Sequence, residues 1–184
     1  MRTRTILVSA VAVVAATALT ASPALADPTD TTTATFDVTA GTLDVTTPDT
    51  ADLGSGAPGT TIISQLGAVT VSDTRAADDA SWETTVTSTD FTTGGATPSE
   101  TVPATAIDYW SGTATATTGN GIFTPGQPTG ADAEPLNNAI GVIAFTHAGG
   151  TGNNSATWNP TLEVNVPLAN QAGTYTGTVT HSVA

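Results

Sequence analysis

Apolar side chains fall at every second position along much of this chain. Trp82, Thr84, Val86 and Ser88 share one face of an extended segment while Glu83, Thr85, Thr87 and Thr89 share the other, the two-residue period of a half-buried β-strand. Tyr175, Gly177, Val179, His181 and Val183 alternate in the same way with Thr174, Thr176, Thr178, Thr180 and Ser182. A longer run places Trp158, Pro160, Leu162, Val164, Val166 and Leu168 on one face, its prolines favouring an edge or a bulge. Phe36, Val38 and Ala40, a turn at Gly41, then Leu43 and Val45 predict a hairpin, and residues 49–60, with three glycines and Pro58, a loop. Ile62-Ile63 and Val69 with Val71 mark further strands, Ile107–Trp110 and residues 113–118 another strand or pair. The denser run 140–147 predicts a central strand covered on both faces, and residues 119–135, rich in Gly and Pro, a connection.

No stretch after residue 26 sustains a 3.6-residue apolar period with caps, while strand patterns recur between Gly and Pro. The expected fold is therefore all-β, a single antiparallel two-sheet β-sandwich, Ig-like or jelly-roll-like, over residues 34–184.

Residues 1–26 stand apart. Arg2 and Arg4 precede an apolar run from Ile6 to Leu19, and Ala24-Leu25-Ala26 forms a small-x-small site before Asp27, the layout of a cleaved secretory signal peptide. The apolar run is short for a bilayer span, so no membrane insertion is expected after cleavage. Residues 27–33, acidic and Thr-rich with Pro28, read as a flexible tail. Because the strand pattern runs up to Ala184, covalent attachment through a C-terminal sorting tail is not expected.

Composition first argues against a fold: after residue 26, Leu, Ile, Val and Phe number 27 of 158 residues, a share that points to disorder when charge is high. Threonine reverses this. It fills 37 of those 158 positions, and its branched Cβ stiffens an extended backbone while its methyl adds packing surface. All 16 carboxylates lie in the same segment against one cation, Arg75, a formal charge of −15. Such a surface repels phosphate backbones and anionic lipid, which excludes nucleic-acid binding. With no cysteine, disulfides, thiolate metal sites and thiol nucleophiles are excluded as well.

Arg75 lies close in sequence to Asp73, Asp78 and Asp79; a planar guanidinium binds carboxylates bidentately, so these residues predict a structural ion pair that clamps a loop, the alternative being a grip on a substrate carboxylate. The three aspartates match no calcium-loop spacing. His147 and His181 fall on different strands without a third ligand, and no metal or other cofactor is expected. No nucleophile elbow occurs, and no pair of carboxylates is singled out for glycoside cleavage. Asn153-Asn154-Ser155 is a formal N-glycosylation triplet. Among the flat side chains, Trp82 and Trp158 fit a core, while Trp110, with Tyr109 beside it, is the candidate for stacking on sugar rings.

Gly67-Ala68-Val69-Thr70-Val71-Ser72-Asp73-Thr74-Arg75, then Trp82, then Tyr175-Thr176-Gly177-Thr178-Val179-Thr180-His181-Ser182-Val183 resemble, in order and spacing over roughly residues 60–184, the WxL family of bacterial wall-associated proteins. That resemblance implies secretion and noncovalent association with peptidoglycan, and the chain is read as non-enzymatic. It assigns wall contact to the positions of two Trp-x-Leu motifs, here Trp82 with Thr84 and His181 with Val183. The chain is a divergent member by this reading, since Thr84 stands where the first motif has leucine and His181 where the second has tryptophan. Two other readings stand beside it. One is a structural or adhesive subunit that assembles through strand edges or with another surface protein, the other a secreted wall-polysaccharide hydrolase carrying two carboxylates in a cleft.

Overall fold

A computed structural model describes residues 29–137 and 139–184. The expected signal peptide, residues 1–26, lies outside them. The chain divides into two units, Met1–Asp37 and Val38–Ala184. In the first, the described residues 29–37 are exposed and carry no strand or helix, Phe36 being 88% exposed.

The second unit forms β1 (Leu43–Thr46), β2 (Thr61–Gln65), β3 (Val69–Ala77), β4 (Trp82–Ser88), β5 (Phe91–Thr92), β6 (Thr101–Val102) and β7 (Ile107–Trp110). There follow β8 (Ala114–Thr118), β9 (Ile122–Pro125), β10 (Glu134–Pro135), β11 (Val142–Ala148), β12 (Gly152–Trp158), β13 (Thr161–Asn165) and β14 (Val179–Val183). Helix is confined, among the described residues, to three short 3-10 turns.

All strand pairs are antiparallel, so the all-β expectation holds, but the pairing gives four sheets where two were expected. The first runs β1-β3-β12-β8, the second β10-β7-β13-β2, the third β14-β4-β11-β9, and β5 with β6 forms a fourth. The arrangement is sandwich-like: β1 lies beside β14 and β8 beside β9, and Phe145 of the third sheet stacks on Trp158 of the first with ring centroids 4.8 Å apart.

The extra sheet has a local cause. The alternating run that begins at Trp158 is not one strand, because β12 ends there in the first sheet and β13 begins at Thr161 in the second. Pro160 between them has no N–H with which to continue a ladder, and its carbonyl instead accepts the Leu66 amide at 2.9 Å. The side-chain period survives this corner while the sheet changes. Beyond Pro167 the run leaves the fold, and Leu168 is 82% exposed.

The expected hairpin around Gly41 is also absent. Val38 is 76% exposed, and β1 pairs with β3, Leu43 opposite Asp73 and Val45 opposite Val71. An isolated two-stranded hairpin has no layer against which to bury its apolar row, whereas β3 places Leu43 and Val45 against the core. The run 140–147 forms a central strand from Val142 on, β11, between β4 and β9, but it is covered on one face only: Ile143 and Ala148 are exposed. A bulge between Ile143 and Phe145 turns both Ala144 and Phe145 inward. The core collects Val69, Val71, Trp82, Val86, Ile107, Tyr109, Phe145, Trp158 and Leu162 from three sheets.

Candidate functional site

The two motif segments, almost a hundred positions apart, lie side by side. Strand β14 pairs antiparallel with β4, placing Val183 opposite Thr84 and His181 opposite Val86. Strand alternation then decides orientation: Trp82, Thr84 and His181 point into the core and are buried, with Val183 half-buried beside them. The motif side chains thus pack inside and do not present themselves to a polymer, a correction to the direct-contact role that the resemblance assigned to them. Their outward neighbours are Glu83, Thr180 and Ser182, exposed, with Thr85 and Thr87 half-buried. This outer face is lined with hydroxyl groups, and the exposed Ile143 stands opposite Thr85 on β11.

Trp82 is fixed by a polar chain that reaches Arg75. Its indole Nε1–H donates to Asn154 Oδ1 at 2.7 Å, and Asn154 Nδ2 donates to Asp73 Oδ2 at 3.3 Å. Asp73 is fully buried and grips Arg75 bidentately, Nε to Oδ1 at 2.9 Å and Nη2 to Oδ2 at 2.8 Å, while the Arg75 amide donates to Oδ1 at 3.0 Å. The Arg75 guanidinium holds the Asp73 carboxyl below its ordinary range, and Asp73 in turn raises Arg75. The same Nη2 donates to Ser81 O at 2.9 Å, so the ion pair does clamp the loop before β4. Asp73 alone is the salt-bridge partner of Arg75 among the described residues. Asp78 and Asp79 are exposed, and Asp79 caps Ser81 instead, accepting from its amide and hydroxyl, which lower its pKa. Arg75 is engaged within its own loop and offers no free fork to a ligand carboxylate.

At the second motif, Trp158 Nε1–H donates to the Tyr109 hydroxyl at 3.2 Å, and that hydroxyl lies 3.1 Å from His181 Nε2. The tautomer of His181 sets which of the two, the Tyr109 hydroxyl or Nε2, is the donor in that bond. Burial lowers the His181 pKa to about 4 and raises that of Tyr109, so both stay neutral near pH 7. Thr84 and His181 each leave a buried polar atom without a hydrogen-bond partner, Oγ1 and Nδ1 respectively. Both side chains thus load the core with a desolvated polar group.

Tyr109 is fully buried, which removes it as a sugar-stacking residue; Trp110 is half-buried, its ring lying over Gly130. A cavity of about 1110 Å³ lies between residues 47–58 and 171–179, with Val69, Val164 and His181 in its wall. Sequence reasoning gave no sign of that cavity, nor of Asn154 as the link between Asp73 and Trp82. A buried asparagine on an alternating strand was the available signal, but its partners lie 81 and 72 positions away. No protein-family model matches the chain, and no curated protein matches it either.

Proposed function

We propose that this is a secreted, non-enzymatic protein held at the bacterial cell surface by noncovalent contact with wall polymer, peptidoglycan foremost, through the outer face of the β4–β14 pair. The observation that carries the reading is the register of that pair, which sets the two degenerate Trp-x-Leu positions side by side, Thr84 opposite Val183. The buried motif residues act as a keel. By anchoring every second side chain inward they turn Glu83, Thr85, Thr180 and Ser182 outward, three short hydroxyls and a carboxylate suited to the hydroxyl and acetamido edges of a glycan, with Ile143 available to its C–H faces. The same reading takes the first and third sheets as the two layers of a β-sandwich and the second as a cap at one end.

Cosedimentation with purified sacculi tests this. The full chain is expected in the pellet, and the double variant Thr180→Glu, Ser182→Glu in the supernatant. Exposed strand substitutions of this kind change stability little, so the variant's melting temperature should match that of the parent. A parent that stays in the supernatant, or a double variant that pellets undiminished, overturns the assignment.

A further inference from the structure

His147 on β11 is buried, and both of its ring nitrogens face main-chain carbonyl oxygens: Nδ1 lies 2.8 Å from Ala80 O and Nε2 lies 2.8 Å from Asn120 O. A neutral imidazole has one N–H and one lone pair, so it satisfies one of these carbonyls and turns a lone pair on the other. Only the imidazolium donates to both. The ring's faces suit that cation as well, with Phe123 stacked at 4.4 Å and Trp82 at 5.7 Å between centroids.

The two carbonyls are not held equally. Ala80 is buried, and its carbonyl also accepts Asn154 Nδ2 at 3.4 Å. Asn120 is exposed and sits between Gly119 and Gly121, both in the left-handed region at φ +87° and +102°. This turn is where the chain leaves β8 in the first sheet and enters β9 in the third.

We propose that His147 is an acid-operated strap that pins the 119–121 turn, and with it the seam between β8 and β9, to β11. With both nitrogens protonated it binds Ala80 and Asn120 together. When one proton leaves, it leaves from Nε2, the Nδ1–H bond to Ala80 remains, and the Asn120 carbonyl is released. The charged groups around the ring are few. Asp79, on the loop that carries Ala80, attracts it, and the Asp73–Arg75 pair reaches it only through Asn154 and Ala80. Strands β4 and β9 and the 119–121 turn present Trp82, Phe123 and Asn120 to it, none of which titrates; Glu83, beside Trp82, is on the outer face.

Long-range nitrogen–proton NMR of the full chain, selectively labelled with ¹⁵N-histidine, reads the two ring nitrogens directly, and amide hydrogen exchange reads the turn. Measurements from about pH 5 to about pH 8 stay above the region where His181 takes up a proton. In acid, both His147 nitrogens should carry the imidazolium signature and the amides of residues 121–123 and Thr151 should be protected. As pH rises, Nε2 should become the unprotonated nitrogen while protection at the turn falls about tenfold after correction for intrinsic exchange, the scale of one lost charge-assisted hydrogen bond. Residues of β13 should not change, and His147→Gln should abolish the pH dependence at the turn. A single neutral tautomer across the whole range, or the same pH response in His147→Gln, would overturn the proposal. The ring measurement on the unaltered protein decides the matter even if the variant does not fold.

Discussion

Replacing Trp82 separates its two jobs, filling the core and closing the polar chain to Asp73. The side chain is 3% exposed and touches Phe123, Phe145 and His147, so Trp82→Ala removes a buried aromatic at a cost of about 3–5 kcal/mol. It also strips Asn154 Oδ1 of its donor, and a buried acceptor left unsatisfied costs about 1–3 kcal/mol more. The sum, about 4–8 kcal/mol, rivals the whole stability of an ordinary domain at about 5–15 kcal/mol. Trp82→Phe keeps most of the apolar body and loses the indole N–H, so it should cost about 2–3 kcal/mol, the orphaned acceptor plus a small void. Urea titrations followed by far-UV circular dichroism give both values as shifts in midpoint at constant slope. An alanine variant with the parent's midpoint would place Trp82 at the surface and refute the core assignment. A phenylalanine variant as stable as the parent would refute the Asn154 link alone.

Thr84→Val keeps the shape of a buried side chain while removing a hydroxyl that has no partner, and should raise stability by about 1 kcal/mol in the same urea assay; a loss would mean that the hydroxyl is bonded after all. His181 has its folded-state pKa lowered from 6.5 to about 4 by burial, so its contribution is complete above pH 6.5 and is lost as pH falls toward 4, when the unfolded chain takes up the proton first; the total is about 3 kcal/mol. Across that window the parent should lose about that much stability relative to His181→Phe as pH falls, and parallel curves would remove His181 from the account. Added sodium chloride should leave binding to sacculi unchanged or strengthen it, because protein and wall carboxylates repel each other across about 10 Å at 0.1 M salt; progressive elution by salt would point to a basic partner protein as the true contact.

What the sequence disclosed was orientation within strands, and what it hid was pairing between them. In β4 the two-residue period placed Trp82, Thr84, Val86 and Ser88 inward, as they lie in the fold, because alternation is a local property of the chain. The run through Trp158 and Leu162 kept the same period across a change of sheet, and period alone carries no information about which sheet a strand joins. Strands β9 and β10 went unseen within residues 119–135 because they are short and hold Pro125 and Pro135. The ion pair was half legible. Asp73 and Arg75 sit two positions apart on one strand and bond locally, whereas the exclusion of Asp78 and Asp79 depends on how the loop folds back so that Ser81 O meets Arg75.

Under the proposed function, threonine at 84 and histidine at 181, where the Trp-x-Leu resemblance has leucine and tryptophan, are easier to reconcile with wall contact once these positions are read as a keel. If Trp82, Thr84, His181 and Val183 touched the polymer themselves, exchanging leucine for threonine and tryptophan for histidine would change the contact surface. Buried as they are, the exchanges act on stability, through Thr84 Oγ1 and His181 Nδ1, and reach the surface only if the register of β4 against β14 slips. A slip of one residue would reverse every side chain on β14, exposing His181 and burying Thr180 and Ser182. What prevents it is the hydrogen bond between the Tyr109 hydroxyl and His181 Nε2, which a ring displaced to the outer face could not make, together with the paired exchange between Glu83 and Ala184, 2.9 and 3.0 Å, just past the end of β14. His181 therefore weakens the core through one nitrogen and fixes the register through the other.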